Sequence, residues 1–361
     1  MKSVPVRIRT RSEPAITAGV DDNPQMPLEG PLVDAFGRVH RDLRISVTDR
    51  CNLRCTYCMP EEGLAFLPRD EILTYEEIGI VAAQAVRLGV RSVRLSGGEP
   101  LVRRDLSRLV SLLRFSGLEE IALTTNGTFL AQLAGGLREA GLSRINVSCD
   151  SLDPSKFASI RRGGDLRVVL ASMDAAEKAG FPPVKVNVVV MKGVNEDEIE
   201  SFADFGRATG RTVRFIEFMP LDAGETWDRE SVVSSDEIIA KISARWPLEP
   251  IEEDAVSSAP ASRFRYLDGG GTIGVIASIT KPFCGSCDRL RLTADGNIRN
   301  CLFARGELSI RDILRSGGSE AEMRSGIELL LRRSVWAKRA GHGIGEPGFV
   351  RPHRTMSMIG G

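Results

Sequence analysis

Residues 43–60 read LRISVTDRCNLRCTYCMP, and the fold turns on how this stretch divides. In "LRISVT" (43–48), Leu43, Ile45 and Val47 share one face while Arg44, Ser46 and Thr48 share the other, which is the period of a strand. The loop that must follow holds Cys51, Cys55 and Cys58 within eight residues. Two thiols would suggest a redox pair or a disulfide, and four a zinc site; three make an incomplete coordination sphere.

Further along, "SVRLS" (92–96), "EIALTT" (120–125), "RINVSC" (144–149), "KVNVVV" (185–190) and "TVRFIEFM" (212–219) repeat the short strand, with amphipathic helical stretches between them. That rhythm predicts βαβ units and a parallel sheet. A helix is expected over 74–88, with Thr74 and Glu77 forming a capping box and Gly89 ending it. Six units are too few for the usual eight-stranded closed barrel, so the fold class expected is α/β, a partial (βα)6 TIM-like barrel. A parallel strand buried on both faces should read as continuous hydrophobics. Here Arg44, Arg94 with Ser96, Asn146 with Ser148, and Lys185 with Asn187 give one polar face in strand after strand. Helices outside and a polar ligand inside would produce that pattern.

After about residue 230 the rhythm changes. A helix near 235–245 precedes "SRFRYL", "TIGVIAS", "RLRLT" and "NIRNCLF", which look antiparallel, with "ADG" as the last turn, and 309–340 looks helical. The expected division is a disordered leader over 1–36, the barrel over 37–230, an α+β C-terminal domain over 231–340 and a Gly-rich tail over 341–361.

Lys+Arg and Asp+Glu both number 48, so no global field argues for nucleic acid or an anionic membrane, and any anionic ligand must be met by a local basic cluster. No apolar run is long enough to span a bilayer, and the N-terminal stretch lacks the apolar block of a signal peptide. A cytoplasmic location is expected, where clustered cysteines more often bind metal than pair as disulfides.

Three of the seven cysteines lie in Cys51-x3-Cys55-x2-Cys58, three in Cys284-x2-Cys287-x13-Cys301, and Cys149 stands alone as a small core residue. Two trios suit two [4Fe-4S] clusters, each leaving one iron open for a ligand. Structural zinc is the alternative; it needs a fourth ligand at each trio, and since His40, His342 and His353, the chain's three histidines, lie outside finger-like spacing, an Asp or Glu would have to serve.

"CNLRCTYC" (51–58), followed one βα unit later by "SGGEPL" (96–101), resembles the cysteine motif and glycine-rich segment of radical S-adenosylmethionine enzymes. "TTNG", "RINVS", "RFIEFM", "FCGSCDRLRLTADGNIRNCLF" and the closing "RTMSMIGG" extend the resemblance, from about Phe36 to Gly361, to the GTP 3′,8-cyclase family of molybdenum cofactor biosynthesis. The resemblance implies that Cys51, Cys55 and Cys58 hold a cluster whose open iron takes S-adenosylmethionine and yields a 5′-deoxyadenosyl radical. It implies cofactor contacts at Tyr57, Gly98, Ser148 and Met219. Cys284, Cys287 and Cys301 would hold the second cluster, which takes the guanine base. GTP contacts are implied at Arg44, Arg94, Thr124, Lys185, Arg289 and Arg291, and the tail ending in Gly360-Gly361 would insert into the catalytic pocket. For Arg44, Arg94 and Lys185, burial against a Glu such as Glu99 or Glu217 is the structural alternative, and for Arg289 and Arg291 it is an exposed basic strand. Some family members carry lysine where this chain has Ser92, which bears on one substrate contact.

The same resemblance implies conversion of GTP to (8S)-3′,8-cyclo-7,8-dihydroguanosine 5′-triphosphate. It also implies a flavodoxin or ferredoxin electron donor, a downstream cyclic pyranopterin monophosphate synthase and a homodimer. Two other readings are a peptide-modifying radical maturase and a non-catalytic cluster carrier. The Arg289-x-Arg291 step and the terminal glycines speak against the first, and Gly97-Gly98-Glu99-Pro100 against the second.

Overall fold

Six strands form where the alternation places them: β1 (Asp42–Ser46), β2 (Ser92–Ser96), β3 (Glu120–Thr125), β4 (Arg144–Ser148), β5 (Lys185–Val190) and β6 (Val213–Glu217). They are parallel and neighbour one another in chain order in the computed structural model, which describes residues 26–222, 227–252 and 258–360. Helices α1 (Tyr75–Arg87), α2 (Leu106–Phe115), α3 (Leu130–Ala140), α4 (Pro154–Arg161), α5 (Leu166–Lys178) and α6 (Ile199–Thr209) connect them. The α1 capping box is present as expected: the Thr74 side chain accepts from the Glu77 N–H, and the Glu77 carboxylate from the Thr74 N–H. The outward strand residues Leu43, Ile45, Leu95, Leu123, Val147 and Val186 are fully buried in one core with Ile78, Val81 and Ala85 of α1. Each such side chain contributes roughly 1.5–3 kcal/mol on burial.

The C-terminal region contributes α7 (Ser235–Arg245), β7 (Leu248–Pro250), β8 (Ser262–Tyr266), β9 (Thr272–Ile276), β10 (Arg289–Leu292), β11 (Asn297–Arg299), β12 (Leu308–Ser309), α8 (Arg311–Leu314), α9 (Glu320–Trp336) and α10 (Met356–Ile359). Its strands were expected to be antiparallel, and each of two departs from that on one side. β9 pairs antiparallel with β8 but parallel with β6, and β10 pairs antiparallel with β11 but parallel with β1. The result is one twelve-stranded sheet in the order β12-β11-β10-β1-β2-β3-β4-β5-β6-β9-β8-β7. Both edges of the six-stranded partial barrel are thereby covered by strands, which protects backbone groups that an open edge would expose.

Strand direction fixes where the cysteines lie. Cys51, Cys55 and Cys58 follow β1, at the C-terminal end of the parallel strands. Cys284 and Cys287 precede β10, which runs parallel to β1, so they lie at the opposite end. β11 runs back antiparallel and returns Cys301 to that same end.

Of the expected leader, residues 1–25 lie outside the described residues, and 26–36 are docked rather than disordered. Leu32 is fully buried in the main core; its N–H donates to the Leu88 carbonyl, and the His40 N–H donates to its own. Arg332 of α9 donates to the carbonyls of Pro27, Glu29 and Gly30. Among the described residues, no helix is long and apolar enough to cross a membrane.

Glu217, at the end of β6, is fully buried, and its carboxylate accepts from the backbone N–H groups of Ser235, Ile279 and Thr280 and from the Thr280 hydroxyl. It ties β6 to the start of α7 and to the segment after β9. Glu217→Ala would strand those donors, and an expected loss of about 2–4 kcal/mol of stability should appear as a lowered denaturation midpoint of the purified protein.

Candidate active site

The loop after β1 is shaped by backbone pairing. The Gly98 N–H donates to the Thr48 carbonyl and the Glu99 N–H to that of Arg50, so the glycine segment after β2 runs alongside the cysteine loop. A Cβ on Gly97 would come within 2.5 Å of the Thr48 oxygen, and one on Gly98 within 2.4 Å of the Arg50 oxygen. Only glycine permits that approach. From the other side, the Arg54 and Thr56 N–H groups donate to the carbonyls of Arg161 and Ile160 at the end of α4. Arg161 and Asp150 form a fully buried ion pair; Asp150 also accepts from the Tyr57 hydroxyl at 2.8 Å and the Val189 N–H, and Arg161 donates to the Ser148 carbonyl. The cysteine loop, the end of β4 and the end of β5 are thus fixed to one another. Asn126 adds a long contact of 4.0 Å to the Cys51 sulfur.

Burial raises the thiols of this trio, that of Cys55 to about 12. Such thiols become thiolates only when a cation sits against them, as iron does in a cluster. The second trio lines a cavity of about 340 Å³ with Phe303, Lys338 and His342. Burial acts to raise the Cys287 thiol, but Lys338 and Arg289 outweigh it and hold the thiol below its ordinary range. Donor type and number therefore fit an iron–sulfur cluster at each end, and the second trio also has a cavity beside it.

Among the described residues, no three His, Cys, Asp or Glu side chains converge on a position for one metal ion. In a cubane each thiolate binds a different iron and the sulfurs stand apart. The histidines do not help zinc. His342 accepts the Ile344 N–H at Nδ1 and donates from Nε2 to the Ser278 carbonyl, His40 is buried against Asp34, and His353 is exposed.

Between the two ends, the inward strand faces carry cations. Arg291, Arg44 and Arg94 lie side by side in register on β10, β1 and β2; Arg144 follows on β4 across Ala122, and Lys185 and Arg214 continue on β5 and β6. Arg44 pairs with Asp42, and Arg144 with Glu120. Among the described residues, Arg94, Lys185, Arg214 and Arg291 have no ion-pair partner. Burial, reinforced by the neighbouring guanidiniums, brings Lys185 down to about 8, Arg291 to about 9 and Arg214 to about 10, and lowers Arg44 and Arg94 as well.

Glu99 and Glu217, the carboxylates considered as partners for these cations, are engaged elsewhere. Glu99 accepts from the Leu101 and Asn126 N–H groups and the Thr125 hydroxyl, and Glu217 is held as described above. Arg289 faces the same interior near Asp42 and donates to the Ser258 carbonyl. Arg144 and Arg214 are absent from the sequence-derived set, although the alternation in "RINVSC" and "TVRFIEFM" puts both on the inward face.

The tail crosses this interior. Arg354 pairs with Asp295 and Glu307, Ser357 lies against the Cys58 thiol, and Ile359 packs in an apolar cluster with Leu221 and Phe303 that Met219 and Cys301 border. Arg291 donates to the Gly360 carbonyl. Gly360 sits at φ +72° with the Ser96 hydroxyl 2.5 Å from where a Cβ would be. Gly361 lies outside the described residues. Thr124 accepts from Asn146 at 3.4 Å on the inward face, and Ser92 lies opposite Glu120. Cys149 is fully buried, as expected of a core residue.

Residues 45–206 match the radical SAM superfamily, and residues 211–344 match the family described as Molybdenum Cofactor Synthesis C. A Corynebacterium glutamicum protein named GTP 3′,8-cyclase is 48% identical over 341 residues, covering 91% of this chain and 89% of its own. A Mycobacterium tuberculosis protein named GTP 3′,8-cyclase 2 is 46% identical, covering 96% of each. Among solved structures, Streptococcus suis SuiB bound to S-adenosylmethionine superposes with a TM-score of 0.55 at 14% identity, over 83% of this chain and 68% of SuiB, a likeness of fold. This chain belongs to the GTP 3′,8-cyclase family of radical S-adenosylmethionine enzymes, which act in the first step of molybdenum cofactor biosynthesis.

Proposed function

We propose that the chain converts GTP to (8S)-3′,8-cyclo-7,8-dihydroguanosine 5′-triphosphate, with the nucleotide lying in the barrel between two cluster sites. The observation that carries this reading is the row of inward cations, most without a carboxylate, between two cysteine trios at opposite ends of one barrel. Cys51, Cys55 and Cys58 would hold the cluster that binds S-adenosylmethionine, and Cys284, Cys287 and Cys301 a second one facing the guanine. When bound, cluster and S-adenosylmethionine supply a carbon-centred radical that takes hydrogen from the ribose and so allows C3′ to join C8.

The protein's own residues bind, orient and exclude water. Gly98 gives the cofactor's methionyl end close access to backbone. Tyr57, its hydroxyl committed to Asp150, presents backbone to the cofactor, and Ser148 and Met219 complete that side. Arg44, Arg94, Lys185, Arg289 and Arg291 would grip the triphosphate, where a guanidinium fork matches phosphate oxygens, and Thr124 would add a hydroxyl. The tail, through Gly360 and Gly361, would close the interior. A cytoplasmic setting suits seven free cysteines. A one-electron donor of the flavodoxin or ferredoxin type, a synthase that consumes the product to give cyclic pyranopterin monophosphate, and a homodimer complete the reading.

Anaerobic reconstitution with iron and sulfide, then dithionite, S-adenosylmethionine and GTP, should yield 5′-deoxyadenosine together with a GTP-dependent isomer of GTP by mass spectrometry. 5′-Deoxyadenosine with GTP unchanged would shift the substrate to a peptide. Neither product, from protein shown to hold both clusters, would favour a cluster carrier.

Lys185 gives a pH test. Burial, with Arg214 and Arg144 nearby, lowers it from 10.5 to about 8. The folded, ligand-free protein therefore holds fewer protons than the unfolded chain between those values, and this group's contribution to stability rises with pH across that window. A bound polyphosphate favours the protonated amine. Affinity for inorganic tripolyphosphate should thus fall as pH rises through about 8, by up to about tenfold per unit, and Lys185→Arg should flatten that step.

A further inference from the structure

Arg144 opens β4 and faces the interior beside cations already assigned to the nucleotide. It pairs in register with Ala122, whose other neighbour is Arg94, so only a methyl side chain stands between the two arginines across the sheet. Its charge acts on Arg44, Arg94, Lys185 and Arg214 alike. One more cation among them adds repulsion, which a fold without an anionic ligand has no use for. Among the described residues its one ion-pair partner is Glu120, a carboxylate 36% exposed, and its buried Nε has no hydrogen-bond acceptor. Ser92, across the strand pair from Glu120, adds no cation there, and the Glu120 charge acts also on Lys185 and Arg214.

We propose that Arg144 is a further substrate-binding residue, a sixth cation for the polyphosphate chain, which Glu120 holds in the ligand-free protein and yields to phosphate oxygens. The inference rests on the barrel being a triphosphate site. Arg144 exchanges one carboxylate for a more highly charged partner that offers more acceptor oxygens, and a forked guanidinium favours the second. Glu120 is then a placeholder that competes with the nucleotide, so substitutions of the two residues shift nucleotide affinity in opposite directions. An ion pair that only clamps β3 to β4 would instead make both substitutions destabilising and leave ligand preference alone.

The test is equilibrium binding of GTP, GMP and guanosine to the anaerobically reconstituted protein without reductant. Arg144→Ala is expected to weaken GTP by about 10- to 100-fold, GMP by less, and guanosine by less than twofold, with Arg144→Lys intermediate. Glu120→Gln is expected to tighten GTP severalfold. Arg144→Ala binding GTP within twofold of wild type, or losing guanosine as much as GTP, overturns the proposal, as does weaker GTP binding by Glu120→Gln. Should Arg144→Ala fail to fold with both clusters, Arg144→Lys and Glu120→Gln carry the same opposed signs and decide it. A wild-type protein that binds guanosine as tightly as GTP would defeat the triphosphate reading itself, a failure visible before any variant is made.

Discussion

Like charges face one another inside this barrel. Arg44, Arg94, Arg144, Lys185, Arg214 and Arg291 line the inner face, and Asp42 and Glu120 are the carboxylates paired among them. Crowding buried cations without counterions is costly, and the depressed proton affinities of Lys185, Arg214 and Arg291 register that cost. A hydrophobic interior would be more stable, so the arrangement makes sense as a site completed by a polyanion. The rest of the fold accommodates it: apolar residues point outward to the helices, and the strands from the C-terminal region shield both edges of the sheet.

The same constraint explains the tail. Arg291 is buried, and in the ligand-free protein it turns to the Gly360 carbonyl. Arg354, clamped by Asp295 and Glu307, anchors the segment, and Ser357 and Ile359 set it between the cysteine ends. Glycine at 360 is dictated locally, since a side chain there would meet Ser96. The tail therefore shares a cation with the ligand proposed for the interior and lies where it can exclude water from it.

Much of this was legible in the sequence because period-two alternation is a local signal. It located all six barrel strands and put Arg44, Arg94 and Lys185 on the inner face. Arg144 and Arg214 follow from the same rule, one at the first position of a strand and one near it, where the polar face is easily mistaken for a loop boundary. The parallel pairing of β10 with β1 was not legible, because Asp42 and Arg289 meet across most of the chain and leave no local trace. Nor was the burial of Leu32, a single apolar residue amid turn-forming neighbours. The partners of Glu99 and Glu217 are mainly backbone N–H groups, which a sequence does not display.

The proposed reaction requires the ribose of bound GTP to meet the radical supplied at the end of the barrel that carries Cys51, Cys55 and Cys58. The most direct measurement is isotope transfer: reconstituted protein is given S-adenosylmethionine, reductant and GTP deuterated at C3′, and the 5′-deoxyadenosine formed is weighed by mass spectrometry. The account predicts one deuterium in that product. 5′-Deoxyadenosine free of deuterium, formed while GTP is consumed, would contradict it.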